Sequence, residues 1–431
     1  MKSIWKNSLI FYEHILNNLN SKYVLSGAGI AVAIIALVSI MTLSSTETIP
    51  TFTESETEAM PETIADSTES DTLTLSETLP VSSESEPVVP PETFPVTTET
   101  STVIPPENIM VTKGLKHIVP LDKIRGGGPP KDGIPSVDDP KFATVSDSEF
   151  MSDSDIVIGL DINGETKAYP LFVMVWHEIV NDKVGGVPVS VTYCPLCFTN
   201  QVFERIIDGQ EVEFGTSGKL YNSNLVMYDR LTDSYWSQAL GLAITGELTG
   251  YELKRIPFDV ISWQDWKNMH PDTLVMTTET GHLRAYAVDP YGDYYTDPRI
   301  IFPVDHRDDR MHPKELILGF HENDVYRAFK QIDVESANVI NDKVDDKSLL
   351  LVSLFTGNAR AFDRMVDGNV LTFDFIDDTI IDLETESIWN YDGLAISGSM
   401  DGTQLVRVPF DPGFWFEWVA FHHTTEVYEN S

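Results

Sequence analysis

The sequence predicts a mainly antiparallel β fold with a few helices, an α+β protein built from two similar lobes. Three observations carry that reading. Short β-branched runs are separated by Asp-Gly turns, a series of residues recurs at an offset of about 160, and no regular alternation of strands with long amphipathic helices appears. An apolar segment and an acidic segment precede the lobes.

The apolar segment is residues 24–43, VLSGAGIAVAIIALVSIMTL, twenty residues without a charge. At about 1.5 Å per residue a helix of that length spans the roughly 30 Å hydrocarbon core of a bilayer. Lys2, Lys6 and Lys22 precede it, and no Lys or Arg follows until Lys113. The positive-inside bias therefore predicts a single-pass signal anchor in the cell membrane, with residues 1–23 cytoplasmic and all that follows extracytoplasmic. The run is long and starts late for a cleaved signal peptide.

Residues 44–110 are largely Thr, Ser, Glu and Pro, with 14 acidic residues and no basic one. Such a segment cannot bury enough apolar surface to offset its ordering entropy, so it is expected to be a disordered stalk. As a coil it would hold a domain roughly 45 Å from the membrane. Its composition also suits O-glycosylation.

The lobes are expected at 111–305 and 306–431. Val157-Ile158-Gly159-Leu160 matches Ile317-Leu318-Gly319-Phe320, and Asn181-Asp182-Lys183-Val184 recurs as Asn341-Asp342-Lys343-Val344. Asp208-Gly209 meets Asp367-Gly368, Trp236 meets Trp389, and Pro257-Phe258-Asp259 meets Pro409-Phe410-Asp411. Trp263, Trp266 and His270 meet Trp415, Trp418 and His422, so six of the eight tryptophans fall in matched pairs and chance is a poor explanation. A period of this size indicates two domain-sized copies rather than a solenoid. Each Trp-rich segment has spacing compatible with a helix. The recurring His270 and His422 read as scaffold.

Where the copies differ, the fold does not require the residue. His177 faces Ala337, Cys194 faces Leu354 and Cys197 faces Gly357, and the first copy carries a longer stretch that contains residues 215–224. That places a candidate site in the first lobe. Cys194-Pro195-Leu196-Cys197 holds the only two cysteines, which excludes a disulfide framework, a four-cysteine zinc site and an iron–sulfur cluster. The pair suits thiol–disulfide exchange, in the manner of an oxidoreductase, or binding of a soft metal such as copper or of zinc. Two inert readings stand beside these: a small staple disulfide and two buried thiols that pack as apolar residues. His177 is a candidate third ligand, with Cys194 and Cys197, or a base that favours the thiolate, as is Lys219; a hydrogen-bonded core histidine is the plain alternative. Tyr193 flanks the motif, and Tyr221, Asn222 and Ser223 lie on a Gly/Ser-flanked stretch that reads as a binding loop or an ordinary surface hairpin. His177-Glu178 lacks the second histidine of a zinc protease. The segment His306–His312 reads by default as a charged linker between the copies.

A formal net charge of −38 opposes nucleic-acid binding, since phosphate recognition needs a basic footprint. The expected partners are the membrane, through one helix, and a small molecule, a metal or an exported thiol protein. A cell-surface binding module or a stalked structural protein, with the cysteines merely cross-linked, is the alternative from another class.

The ordered series Ile134-Pro135-Ser136-Val137-Asp138, Trp176-His177-Glu178-Ile179-Val180-Asn181-Asp182, Thr192-Tyr193-Cys194-Pro195-Leu196-Cys197, Ser217-Gly218-Lys219-Leu220-Tyr221-Asn222-Ser223 and Leu225-Val226-Met227-Tyr228-Asp229-Arg230 resembles the domain-of-unknown-function family 3179. The resemblance runs from about Ile134 to Tyr428. It implies a prokaryotic protein, exported or anchored like many members, and redox use of the cysteine motif, since some members are selenoproteins. A small residue often follows the second cysteine in that family; here it is Phe198. The resemblance implies no particular activity.

Overall fold

The computed structural model describes residues 104–355 and 357–429. The expected anchor at 24–43 and most of the expected stalk lie outside them. Among the described residues no helix is long and apolar enough to cross a membrane. The boundary expected at 110/111 falls inside a strand, Met110–Thr112, which pairs with Leu115–His117.

Antiparallel ladders dominate, with four short α-helices among the described residues: Leu171–Met174, Trp263–Met269, Gln331–Ala337 and Trp415–Phe421. In the first half, strands Ile156–Ile162 and Glu165–Pro170 form a hairpin flanked by Asp259–Ser262 on one side and Leu274–Met276 on the other, the last pairing parallel. In the second half, Leu316–Glu322 and Val325–Lys330 form the hairpin, with Asp411–Phe414 and Glu426–Val427 in the corresponding places and again one parallel pairing. Each hairpin leads into a helix and then a three-stranded meander: Ile179–Val184, Val187–Cys194 and Thr199–Glu204 in one case, Val339–Val344, Lys347–Phe355 and Asn358–Asp363 in the other.

The recurring residues hold equivalent contacts. Asn181 donates to Phe214 O at 2.8 Å and accepts from Phe214 N at 3.0 Å, tying the meander to the next sheet. Asn341 does the same with Phe373 at 2.7 and 2.9 Å. The Trp266 indole donates to Thr273 Oγ1 at 2.9 Å and the Trp418 indole to Thr425 Oγ1 at 2.8 Å. Each ring lies over a glycine, Gly159 or Gly319, where a Cβ would collide with it. Trp236 and Trp389 donate to the buried carboxylates of Asp229 and Asp382, both at 2.9 Å. Asp208-Gly209 and Asp367-Gly368 have positive φ at both residues, as two-residue hairpin turns with the twist of their strands require.

The halves meet through the Pro-Phe-Asp segments. Phe258 stacks on Phe410 with centroids 6.3 Å apart. Asp259 is bound by Arg360 and Arg407 from the second half, each at 2.6 Å. Asp411 is bound by Arg255 of the first half at 2.5 Å and by the Gln201 amide.

Candidate functional site

The strand Val187–Cys194 runs through the middle of its meander, and Cys194 opposite Thr199 is the last register pair. The chain then turns: Cys197 N donates to Cys194 O at 3.2 Å across Pro195-Leu196, with proline at the position whose φ it pre-sets. This one-turn geometry sets the two sulfurs on one side, Cys194 Sγ to Cys197 Sγ 3.2 Å, as free thiols only 1 % and 0 % exposed. The Cys197 thiol donates to Ser223 O at 3.2 Å, and the Asn224 amide stands 3.5 Å from its sulfur. Cys194 Sγ touches only its partner sulfur among the described hydrogen bonds. Burial, with Cys194 beside it, pushes the Cys197 thiol well up.

Around the pair lies a buried polar network. Asn224 Nδ2 reaches Thr199 Oγ1 at 3.0 Å, Gln238 Oε1 at 2.9 Å and Glu417 Oε1 at 3.4 Å, while Asn224 Oδ1 accepts from Ala239 N. Gln238 also donates to Thr192 Oγ1. Glu417 comes from the second half, on the helix Trp415–Phe421, and the first residue of strand-to-helix passage there, Phe414, donates its N–H to Cys197 O at 2.8 Å. Burial, then Asp411 and Cys194, hold the Glu417 carboxyl well above the usual carboxylate range.

The connection between the halves covers the motif. Tyr294 donates its hydroxyl to Leu196 O at 2.9 Å. The fully buried Lys314 in turn donates to Tyr294 O and lies 3.1 Å from the centre of the Tyr294 ring. Phe198 meets Tyr193 and Tyr295 edge-on and tilts against Phe414 at 5.5 Å, which closes the flank of the turn. Further along, Arg310 lies 5.2 Å from the Trp415 ring and Asp308 O accepts from Trp415 Nε1, so the charged linker is packed against the helix.

The residues singled out from sequence separate in space. His177 does not complete a ligand set with Cys194 and Cys197. Its Nδ1 donates to Pro135 O at 2.8 Å, which leaves Nε2 to accept from the Tyr286 hydroxyl at 2.7 Å. Burial lowers its pKa to about 4, so it is a neutral, hydrogen-bonded core histidine. Among the described residues no group of three or more His, Cys, Asp or Glu is placed to hold a metal ion. Lys219 lies on the strand Phe214–Tyr221, its backbone paired with Gly126, and is only partly buried, with no hydrogen bond to either thiol. Tyr193 lies on the other face of its strand, with Phe198, Asp289 and Tyr295, at a cavity of about 50 Å³.

The stretch 215–224 is neither an open loop nor a surface hairpin. Asn222 and Ser223 form its turn with positive φ, and both are buried. Asn222 donates to Ala420 O at 3.1 Å and accepts from Asp305 N, and Tyr221 meets Phe421 at 5.5 Å. The turn clamps the second-half helix onto the cysteine motif. Thr199, Gln238, Tyr294 and Glu417 were not foreseen as site residues. Asn224 was foreseen only as the end of the stretch. Glu417 had one signal: it stands between the recurring tryptophans where the first half has Asp265.

The fold and the site together define an antiparallel β protein with a buried dithiol turn. The family model described as "Protein of unknown function (DUF3179)" matches residues 131–425, and the chain belongs to that family. No curated protein and no solved structure matches it.

Proposed function

We propose that Cys194 and Cys197 form a two-electron thiol–disulfide couple, in a domain that the 24–43 segment anchors outside the cytoplasmic membrane. The observation that carries the reading is the pair of free thiols 3.2 Å apart on one turn. An approach of about 1 Å brings them to bonding distance, with little rearrangement of the turn. Among the described residues no third His, Cys, Asp or Glu is placed to hold a metal with both sulfurs, and His177 is committed to Pro135 and Tyr286. Cys194 is the attacking thiol, because Cys197 is held by Ser223 O and Asn224. The burial of both sulfurs favours small thiols and disulfides over a protein partner unless the Tyr294 cover opens. The anchor rests on the charge asymmetry around residues 24–43, and the paired contacts of the two halves support an origin by internal duplication, with the first copy adapted for chemistry.

The test is to equilibrate the full-length protein in detergent with glutathione redox buffers and read intact mass, with elemental analysis on the same sample. A reversible loss of two hydrogens, absent in Cys194→Ser, is expected without stoichiometric metal. A pair that stays reduced throughout, or copper or zinc that vanishes in Cys194→Ser, overturns the reading.

A further inference from the structure

Glu417 is a carboxyl whose place the fold alone does not explain. Its counterpart Asp265 belongs to the cap of its own helix: it accepts from the N-cap Ser262 Oγ at 2.6 Å, and Asp265 N donates to that same oxygen at 3.1 Å. Glu417 caps nothing. It is 4 % exposed, and its one hydrogen bond among the described residues is the 3.4 Å contact from Asn224 Nδ2. A carboxyl buried with a single long bond loses hydration that the bond does not restore. The same Asn224 nitrogen stands 3.5 Å from Cys197 Sγ. Sulfur and carboxyl thus share one amide nitrogen, at 3.5 and 3.4 Å, and the charge of Glu417 acts on the Cys197 thiol.

We propose that Glu417, supplied by the second half, is the proton donor of the dithiol, giving its proton to Cys197 Sγ when the disulfide opens and regaining one from the second thiol that completes the reduction. This rests on the thiol–disulfide reading above. With a small thiol as reductant, the thiolate R–S⁻ attacks Cys194 Sγ and forms a mixed disulfide. The Cys194–Cys197 bond breaks, its electron pair leaves on Cys197 Sγ, and the Glu417 proton goes to that sulfur. A second thiol gives its proton to the Glu417 carboxylate and displaces R–S–S–R. Cys194 leaves as thiolate and takes from solvent the proton the first thiol released. Two electrons and two protons pass from two thiols to the disulfide. The groups facing Glu417 are Asp411, itself paired with Arg255, and the two cysteines. Burial with these neighbours keeps the carboxyl neutral at rest, as a donor must be.

The experiment follows reduction of the oxidised full-length protein by dithiothreitol across pH, with rates divided by the thiolate fraction. Wild type is expected to slow as pH rises through the Glu417 range. Glu417→Gln should be about 10²-fold slower at neutral pH, with a flat profile. A Glu417→Gln rate and profile equal to wild type overturn the proposal while leaving the dithiol reading intact; a wild-type pair that never forms a disulfide overturns both. If Glu417→Gln does not fold, difference infrared spectra of oxidised and reduced wild type decide. A protonated-carboxyl band that shifts between the two states with no carboxylate band replacing it supports the proposal, and a carboxylate band from Glu417 in the oxidised state overturns it.

Discussion

Asp259 is held by Arg360 across the junction of the two halves at 2.6 Å, with the side chains 1 % and 3 % exposed. Arg407 shares the same carboxylate, and the Arg255–Asp411 pair repeats the arrangement with the halves exchanged. A buried pair of this kind adds little over an apolar one, but removing one member strands the other. Asp259→Ala takes the carboxylate from Arg407, leaves Arg360 with the more exposed Asp392, and should lower unfolding stability by about 3–5 kcal/mol in denaturant titrations. Asp139→Ala, which removes the exposed partner of Lys141, should cost under about 1 kcal/mol. Equal effects at the two sites would show that the junction is not held by its ions.

The glycines under the tryptophans give a steric test. A Cβ at Gly159 would lie 2.5 Å from the Trp266 ring, and Gly319 is crowded by Trp418 in the same way. Gly159→Ala and Gly319→Ala should each lose at least about 1–3 kcal/mol, because a buried indole cannot shift without opening its packing. Gly126→Ala, with nothing within 4 Å of the added carbon, should stay near wild type. Thermal melts of the three variants decide, and a stable Gly159→Ala would mean that the Trp266 ring gives way.

What the sequence disclosed was what repeats or what is local. The contacts of Trp266, Trp418, Asn181 and Asn341 lie within one half each, so equivalent contacts show as recurring letters. The cysteine turn is legible because four consecutive residues make it. The residues that complete the site are not local: Asn222 meets Ala420 and Asn224 meets Glu417 across almost two hundred positions. No periodicity reports such a meeting. Glu417, lying between matched tryptophans, reads as scaffold, and Tyr294 belongs to a connection without regular pattern. His177 misled for a related reason. It has no histidine counterpart in the second half, yet its difference serves a hydrogen bond to Tyr286 of that same connection.

Stability should depend on pH through Glu178, buried at positive φ in the turn before the meander. Burial raises its pKa from the ordinary 4.5 to about 8. Between those values the unfolded chain binds fewer protons than the folded one, so stability falls as pH rises. His177 acts in the opposite sense. Its pKa falls from 6.5 to about 4, so its contribution is lost as pH drops through that range. Glu178→Gln should match wild type near pH 5 and exceed it by on the order of 2–5 kcal/mol at pH 9. Guanidinium titrations at the two pH values check this, and a constant offset between the proteins would rule out Glu178 as the titrating group.

The two cysteines should behave unequally when separated. In Cys197→Ser the serine hydroxyl can keep the bond to Ser223 O, and Cys194 remains with no other hydrogen-bonding partner among the described residues. Oxidised glutathione should therefore leave that variant as a stable mixed disulfide, with no second thiol to resolve it. In Cys194→Ser the remaining thiol donates to Ser223 O and is pushed up by burial, both of which lower its thiolate fraction. Its reaction should be at least about tenfold slower at neutral pH. Intact-mass kinetics on the two variants give the comparison directly. Equal rates would remove the distinction between attacking and resolving sulfurs, and a faster Cys194→Ser would reverse it and move the leaving sulfur away from Asn224 and Glu417.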